Sequence, residues 1–445
     1  MITLSPQQSD AVKKIRTWFK EESEHQKVFT LGGFAGTGKS TILPDILDAL
    51  GLSTSQIAFA APTGKAAKVM GEKLKDQGIR AIPSTIHKLI YQPKMQKAEV
   101  LERELRQAET ERDMLARGEI APPFTGDVAQ DLREYEKRIA ILIKDLDRAY
   151  DINDLRFSLN PESVLVKEDI RLIIIDEGSM VGEEIAGDLA DFDIPMLVMG
   201  DPGQLPPVGD KPGFFKEGEL PDAFLTEVHR QAADNPIIYL ATLVRKGQRG
   251  DYGDYGNGVL IVPSKKDIYT LDLERDAQVI VGTNKNRWKQ TSRMRREGGL
   301  LDQLPMEGEP LIFCKNDRQN PELVNGTPVF STEDHGNFDE GQPRFLAKIA
   351  TEENKRFTLF AYQGLFEEHV KREKNYSSAP KQAAFKSRIN DAQIDFGWAI
   401  TCHKSQGSQW DEVIVHDESG SFREDADKWL YTAITRAAKR LVIVG

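Results

Sequence analysis

An eight-residue motif near the N-terminus constrains the fold more than any other feature of the sequence. The motif is Gly33-Phe34-Ala35-Gly36-Thr37-Gly38-Lys39-Ser40, which fits the phosphate-binding pattern G-x-x-x-x-G-K-[ST]. An apolar run at 27–31 precedes it, and a segment with helical periodicity at 41–47 follows it. A strand, a glycine turn and a helix N-terminus in this order present backbone N–H groups to phosphate oxygens. The sequence therefore predicts an α/β fold with a nucleotide site.

Two acidic residues for the same site follow a second apolar strand. The run at 172–175 is typical of a central parallel strand buried on both faces, and Asp176 and Glu177 come directly after it. We expect Asp176 and the Ser40 hydroxyl to hold Mg²⁺, and Glu177 to polarise an attacking water. Lys39 is expected to reach the β and γ phosphates. Taken alone, the two acids would suit a solvated turn after a core strand; beside the phosphate loop, the nucleotide interpretation is favoured.

Further short segments occur along the chain, most of them after a predicted strand. They are 4–8 (LSPQQ), 61–67 (APTGKAA), 84–89 (STIHKL), 200–208 (GDPGQLPPV), 401–408 (TCHKSQGS) and 431–437 (YTAITRA). In this order, the set resembles the motifs of superfamily 1 helicases of the 5′-to-3′ branch, the group of phage Dda and bacterial RecD. The resemblance covers nearly the whole chain, from Leu4 to Arg436. Single motifs are moderately specific, and the ordered set is far more so.

The resemblance implies roles for particular side chains. It makes Gln204 a γ-phosphate sensor that couples to DNA, and it makes Arg230 and Arg436 arginine fingers. A guanidinium keeps its charge and offers a planar fork to developing phosphoryl charge, whereas an arbitrary arginine is more often a surface ion pair. It places Gln8 on adenine. The nucleotide-binding residues expected are Gln8, Gly33, Ala35, Gly36, Thr37, Gly38, Lys39, Ser40, Thr41, Gln406 and Gly407.

Candidates for contact with single-stranded DNA lie where a predicted strand ends or a helix begins. This is the edge at which ligands bind in open α/β sheets. The candidates are Thr63, Lys65, Thr85, His87, Asn284, Lys285, His403 and Lys404. For each one taken singly, a capping or solvated residue is the alternative interpretation.

Composition sets limits on partners and compartment. The net charge of −11 argues against a protein that grips duplex DNA by charge alone, but a translocating helicase holds only a few nucleotides of one strand in a cleft. Cys314 and Cys402 lie far apart, which indicates a reducing cytoplasm and no zinc site. No apolar run approaches the roughly 20 residues that cross a bilayer, and no secretory pattern opens the chain. We therefore expect no membrane partner.

A length of 445 residues exceeds what one core accommodates, and interruptions in the pattern indicate four domains. The expected fold is α/β, with two RecA-like parallel-sheet cores. The first core takes 1–91 and 167–225, and the second takes 226–309 and 387–445. Each is interrupted by an insert. The insert at 310–386 shows short alternating strands with turn signals such as Asn325-Gly326, which predicts an SH3-like β-barrel, as the resemblance also implies.

The insert at 92–166 shows heptad spacing on two matched segments, which predicts an antiparallel coiled-coil arm. The heptad positions are Ala98, Leu101, Leu105, Ala108, Leu115, Val128, Leu132, Tyr135, Ile139, Leu142, Leu146 and Ala149. The arm is either a spacer or a docking surface for a replication or recombination protein. By resemblance, the pin that splits the duplex belongs to this insert, and we expect it in the short segments at its base.

These features together predict a monomeric, ATP- and Mg²⁺-dependent helicase that walks 5′ to 3′ on single-stranded DNA and unwinds forked DNA. One alternative is a RecD-like ATPase subunit, or a single-stranded DNA translocase, that needs a partner to unwind. A phosphotransferase or GTPase is a further alternative. It is disfavoured because residues 283–286 (TNKN) lack the acid of a guanine-reading N-K-x-D segment.

Overall fold

Two predominantly parallel sheets and a smaller antiparallel sheet form most of the molecule. The structure is a computed structural model that describes residues 4–92, 95–150, 158–160, 163–227, 235–264, 277–317, 320, 322–338, 343–374 and 391–445. The chain divides into two compact units, residues 90–163 and the remainder. Among the described helices, none is long and apolar enough to span a membrane.

The N-terminal segment alternates strands and helices, as the sequence predicts. Its elements are α1 (Pro6–Thr17), β1 (Val28–Gly33), α2 (Leu43–Leu50), β2 (Ile57–Ala61), α3 (Gly64–Asp76), β3 (Ser84–Thr85), α4 (Ile86–Ile90) and β4 (Tyr91–Gln92). The helix α1 begins with a capping box in which Ser5 and Gln8 satisfy each other's backbone N–H groups. Pro6 at the first helical position lacks the N–H that would otherwise be left unpaired there.

The unit of residues 90–163 contains two long helices, α5 (Met95–Ala116) and α6 (Val128–Tyr150), and the short strand β5 (Ser158–Leu159), which pairs antiparallel with β4. The buried heptad residues are Leu105, Ala108, Leu115, Tyr135, Ile139, Leu142 and Leu146. Val128 differs from the prediction: it is 46% exposed, because it is the first residue of its helix.

The turn before α6 depends on Asp131, which the heptad pattern did not single out. This carboxylate is buried and accepts hydrogen bonds from the backbone N–H groups of Phe124 (2.8 Å) and Thr125 (2.9 Å). Burial opposes its charge, but these bonds and one from the Thr125 hydroxyl hold its pKa below the usual value. The carboxylate therefore fixes the chain where it enters the helix.

The chain then returns to the first sheet through α7 (Val164–Lys167), β6 (Leu172–Ile175), α8 (Glu183–Ala190), β7 (Met196–Gly200) and β8 (Ala223–Leu225). The strand order is β3-β2-β6-β7-β1-β8, and every pair is parallel. The central strands β6 and β7 are buried along their whole length. Because the strands are parallel, the loops after β1, β6 and β7 emerge at one edge of the sheet.

The second sheet collects strands from both sides of the second insert. Before the insert come α9 (Pro236–Arg245), β9 (Gly253–Asp254), β10 (Val259–Val262), β11 (Gln278–Val281) and α10 (Asn284–Glu297). The insert itself contains β12 (Pro310–Phe313), β13 (Pro328–Ser331), β14 (Arg344–Thr351), β15 (Arg356–Tyr362), α11 (Gly364–Lys374) and β16 (Ile394–Phe396). After it come β17 (Ala399–Thr401), α12 (Cys402–Ser405), β18 (Trp410–His416), α13 (Ala426–Ile434) and β19 (Ala437–Val444).

The order of the second sheet is β17-β11-β18-β19-β10-β9, parallel except for the β9–β10 pair. The insert forms a separate antiparallel sheet in the order β15-β14-β13-β12-β16. Ala392 accepts a hydrogen bond from the Tyr362 N–H (3.0 Å) and donates one to the Phe360 carbonyl (2.8 Å), so the chain before β16 returns to β15. The strand β16 pairs antiparallel with β12 and so belongs to the insert sheet, whereas the sequence analysis placed its residues in the second core.

Candidate functional site

The phosphate-binding motif occupies the turn between β1 and a 3₁₀ turn at Ser40–Ile42 that leads into α2. Gly36 and Gly38 both have φ of +78°, a left-handed conformation that favours glycine. The Lys39 ammonium donates hydrogen bonds to the carbonyls of Phe34 (3.3 Å) and Gly33. The lysine therefore lies folded against acceptors of its own loop.

Gln8 joins α1 to this loop. Its Nε2 donates to the Thr37 carbonyl (3.2 Å), and its Oε1 accepts from the Ser5 N–H (3.0 Å). The side chain is buried, so it supports the loop from behind. Adenine recognition by Gln8 stays a prediction, because both ends of the amide have protein partners in this structure.

Asp176 and Glu177 follow β6 and line the same cavity as Lys39 and Ser40. Glu177 has φ of +54°, which is unusual for a residue with a side chain, and its N–H donates to Asp176 Oδ1 (2.9 Å). Burial and the adjacent Asp176 charge raise the pKa of the Glu177 carboxyl, against the opposing charges of Arg436 and Lys39. A carboxylate with a raised pKa suits proton transfer near neutral pH.

The donor set fits Mg²⁺. In the described part of the chain, no group of three or more His, Cys, Asp or Glu side chains could hold a metal by itself. Ser40 and Asp176 both line the cavity and offer a hydroxyl and a carboxylate oxygen. Mg²⁺ prefers a few such hard oxygen ligands together with substrate phosphates, so two protein ligands are sufficient.

The cavity has a volume of about 690 Å³ and is lined by both cores and by the insert sheet of the second core. From the first core come Phe34, Ala35, Gly36, Gly38, Lys39, Ser40, Thr41, Lys65, Lys68, Val69, Glu72, Lys73, Gln77, Asp176, Glu177, Asp201 and Gln204. The remainder are Thr327, Pro328, Glu352, Glu353, Gly407, Ser408, Gln409, Trp410, Thr435 and Arg436. Of the predicted nucleotide set, Gln8, Gly33, Thr37 and Gln406 are not among these lining residues.

Arg436 enters the cavity from the second core, just before β19. The residue is buried, and its guanidinium donates to the carbonyls of Thr432 (3.0 Å) and Ser408 (3.1 Å) and to the Thr435 hydroxyl (3.1 Å). Three neutral acceptors thus orient a permanent cation in the cavity. The other predicted finger, Arg230, lies outside the described residues.

Gln204 lies in the loop after β7, and this loop is attached to the second core. The Leu205 N–H donates to the Thr432 hydroxyl (2.9 Å), and Gln406 Nε2 donates to the Leu205 carbonyl (3.0 Å). Gln204 is buried, and its Oε1 has no hydrogen-bond partner among the residues that the structure describes. The side chain therefore lies at the cavity with an acceptor available to a ligand.

Tyr431, on α13, connects three parts of the site. Its hydroxyl donates to Asp201 Oδ2 (2.6 Å) and accepts from the Ala35 N–H of the phosphate loop (2.9 Å). Burial and the Asp201 charge raise the pKa of Tyr431, so the hydroxyl keeps its proton. Sequence reasoning missed this role, although Tyr431 opens the motif segment that ends with Arg436 and Ala437.

The candidate DNA contacts follow strands at one side of each sheet. Thr63 follows β2 as the N-cap of α3, and Thr85 ends β3. Their hydroxyls accept hydrogen bonds from Ala66 N–H (3.1 Å) and Lys88 N–H (3.2 Å), respectively. His87 is exposed on α4 in the same region. These placements agree with the capping alternative as well as with DNA contact, which stays a prediction.

In the second core, the candidates follow the neighbouring strands β11 and β17. Asn284 and Lys285 are exposed at the start of α10, and His403 lies 5.8 Å from the Phe422 ring, centroid to centroid. Lys404 Nζ lies 3.7 Å from Cys314 Sγ. Lys65 departs from the group, because it lines the nucleotide cavity.

Two parallel sheets that share one phosphate-binding cavity define a RecA-like nucleotide-binding α/β protein. The chain belongs to the AAA domain family, whose model matches residues 3–257. A second model, described as a UvrD-like helicase C-terminal domain, matches residues 396–444. The resemblance to superfamily 1 helicases of the 5′-to-3′ branch is thereby confirmed at the level of the family.

Curated relatives extend over almost the whole chain. It is 26% identical to the ATP-dependent RecD2 DNA helicase of Deinococcus radiodurans over 465 residues, covering 97% of this chain and 50% of the relative. It is 23% identical to an uncharacterized protein of Methanocaldococcus jannaschii, covering 94% of this chain and 36% of that protein. The chain thus spans half the length of the first relative and about a third of the second.

Solved structures share the fold. A crystal structure of Bacteroides Pif1 bound to single-stranded DNA superposes with a TM-score of 0.50 at 16% identity, covering 100% of this chain and 93% of that one. A structure of Pif1 helicases at forked double-stranded DNA gives a TM-score of 0.51 at 16% identity, with 100% and 92% coverage. These likenesses confirm the parallel-sheet α/β core.

Replacing Tyr431 by Phe removes the acceptor of the Ala35 N–H and the donor to Asp201. Leaving the buried Asp201 carboxylate and the half-buried Ala35 N–H without these partners should lower the free energy of unfolding by about 1–3 kcal/mol. Urea titration followed by tryptophan fluorescence measures this change. Tyr239→Phe is the matched control, because Tyr239 is 51% exposed. An unfolding midpoint equal to that of the control would show that the Tyr431 hydroxyl contributes nothing to the junction.

Proposed function

We propose that this chain is an ATP-dependent DNA helicase that moves 5′ to 3′ along single-stranded DNA and unwinds duplex DNA. The observation that carries the proposal is a single cavity lined by Lys39 of the first core and Arg436 of the second. A nucleotide bound there would contact both sheets, so its hydrolysis would change their relation. Opening and closing of two cores is a standard way to turn hydrolysis into movement.

The first core would supply most of the chemistry. Lys39 would leave the carbonyls of Gly33 and Phe34 to contact the β and γ phosphates. Ser40 and Asp176 would hold Mg²⁺, which neutralises phosphate charge when bound. Glu177 would accept the proton of the attacking water, in keeping with its raised pKa.

The second core would complete the transition-state contacts. Arg436 already lies in the cavity and would donate to the transferring phosphoryl group, and Arg230 would do the same as a second finger. Gln204 would sense the γ phosphate. The next residue, Leu205, is hydrogen-bonded to Thr432 and Gln406 of the second core. A movement of Gln204 on γ-phosphate binding would therefore be passed directly to that core.

Single-stranded DNA would follow the side of the two sheets away from the phosphate loop. In the first core, Thr63, Thr85 and His87 would contact it. In the second, the contacts would be Asn284, Lys285, His403 and Lys404. Backbone and polar contacts of this type carry little sequence information, which suits a translocating enzyme.

The two inserts would form different structures. We propose that α5 and α6 form an antiparallel coiled-coil arm within an insert at 92–166, and that the insert at 310–386, extended by β16, is an SH3-like barrel. The partners would be fork DNA and a replication or recombination protein at the arm. We further propose a cytoplasmic monomer, with the first core at 1–91 and 167–225.

Unwinding of substrates with opposite tails tests the proposal. The full chain with ATP and Mg²⁺ should hydrolyse ATP faster when single-stranded DNA is added, and it should unwind a duplex carrying a 5′ tail but not one carrying a 3′ tail. Translocation without unwinding would support the alternative, a RecD-like ATPase or translocase that needs a partner. Preference for the 3′ tail would contradict the proposed polarity.

Replacing Glu177 by Gln should keep ATP binding but slow turnover. Loss of a general base typically costs at least roughly 100-fold in rate. Steady-state ATPase assays at saturating DNA measure turnover, and fluorescence of a labelled ATP analogue measures binding. Glu183→Gln is the matched control, because Glu183 is exposed and does not line the cavity. Near-normal turnover in Glu177→Gln would mean that another group accepts the proton.

Replacing residues 98–149 by a short Gly/Ser linker should leave DNA-stimulated ATPase largely intact. The helices α5 and α6 belong to their own compact unit. None of the described residues in the deleted segment lines the cavity. ATPase and unwinding assays on the shortened chain measure the effect. Loss of ATPase in a folded deletion variant would make the arm a structural support of the first core and would remove the basis for a docking role.

A further inference from the structure

Lys65 was predicted to contact DNA, but in the structure it lines the cavity that contains the phosphate-binding motif. It is the second residue of α3 in the first core, and its ammonium lies 4.6 Å from the centre of the Trp410 ring in the second core. Both residues line the cavity together with Lys39 and Arg436. An ammonium over an indole face is a favourable cation–π arrangement, and it holds this lysine at the junction of the cores.

Two other cations of the cavity, Lys68 and Arg436, have partners within the protein. Lys68 forms ion pairs with Glu353 (3.2 Å) and Glu72 (3.9 Å), and Arg436 donates to neutral acceptors of its own core. Within the described residues, the Lys65 ammonium has no carboxylate at ion-pair distance and no hydrogen-bond acceptor. The side chain is half-buried at the cavity, so its three donors are available to the acceptors of a ligand.

The surroundings of Lys65 also lower the pKa of its ammonium group. Burial lowers the pKa of Lys65 to about 8; the charges of Lys68 and Arg436 act in the same direction, whereas Glu352 and Glu72 oppose them. The ammonium is therefore charged at neutral pH but loses its proton in a range that an experiment can reach.

We propose that Lys65 binds the phosphates of the nucleotide as a second lysine beside Lys39, and that the Trp410 ring positions it. The proposal rests on the nucleotide-binding function proposed above. It assigns Lys65 to the nucleotide, whereas the sequence analysis assigned it to DNA. Because Lys65 and Trp410 come from different cores, phosphate bound to this lysine would be sensed on both sides of the cavity.

Separate binding measurements distinguish the two assignments. The full chain and its variants are titrated with a fluorescent ATP analogue and Mg²⁺, and in a second series with labelled oligo-dT in the absence of nucleotide. Lys65→Gln should bind nucleotide about tenfold more weakly, which corresponds to about 1.4 kcal/mol, and should bind oligo-dT like the wild type. Lys65→Arg should retain nucleotide affinity, because it keeps the charge and the ring contact.

Lys75→Gln is the control, since Lys75 is exposed on the same helix and does not line the cavity. Weaker oligo-dT binding with unchanged nucleotide affinity in Lys65→Gln would overturn the proposal and restore the DNA assignment. If the wild type itself bound no nucleotide, the proposed function would fail, an outcome distinct from failure of the Lys65 assignment.

A pH profile supplies a second readout that does not depend on the folding of Lys65→Gln. Phosphate binds the protonated amine, so the nucleotide affinity of the wild type should be full below pH 8 and should fall as the pH rises above it. Lys65→Arg should show no such fall, because its guanidinium stays charged. Identical profiles for the two proteins between pH 7, where the Lys65 amine is charged, and about pH 9.5, where it is neutral, would overturn the proposal.

Discussion

The Tyr431 hydroxyl of the second core binds two loops of the first core at once. It is the acceptor for the Ala35 N–H of the phosphate loop and the donor to the Asp201 carboxylate. The loop after β7 is attached to the second core one residue further on, through the Thr432 hydroxyl. Because Ala35 is among the predicted phosphate donors, a nucleotide would compete with Tyr431 for its N–H. A phosphate bound there would therefore use the same N–H group that joins the cores in this structure.

Two cations of the cavity, Lys39 and Arg436, donate to neutral acceptors that a phosphate group would replace. Lys39 donates hydrogen bonds to two carbonyls of its own loop, and Arg436 donates to two carbonyls and a hydroxyl. An anionic phosphate oxygen adds Coulomb attraction to the hydrogen bond from a cation, whereas a carbonyl oxygen is neutral. An exchange of carbonyl for phosphate is therefore favourable, whereas an exchange with a carboxylate partner would first require an ion pair to break. Lys68 is in that second situation.

The sequence predicted those parts of the site that depend on neighbouring residues. The glycine turn before Lys39, the acids after β6 and the cavity position of Arg436 follow from local motifs, and each lies as expected. Long-range contacts were not predictable in this way. Lys65 was assigned to DNA by its motif, but its position depends on Trp410, far away in the sequence. The strand β16 was assigned to the second core because its pairing with β12 leaves no local signal.

By strand order, most of the predicted nucleotide residues lie apart from the candidate DNA contacts. In the first sheet, the nucleotide residues follow β1, β6 and β7, and Thr63 and Thr85 follow β2 and β3 at the other side. In the second sheet, Arg436 precedes β19, and Asn284 and His403 follow β11 and β17. Helix α3 is an exception, because Lys65 lines the cavity although it follows β2, two residues after Thr63. Under the proposed roles, a change at the nucleotide would therefore reach the DNA side through α3 directly. Because Thr63 and Lys65 lie on one helix end of the first core, a rotation of that core would move both residues together, which favours movement of the cores as bodies.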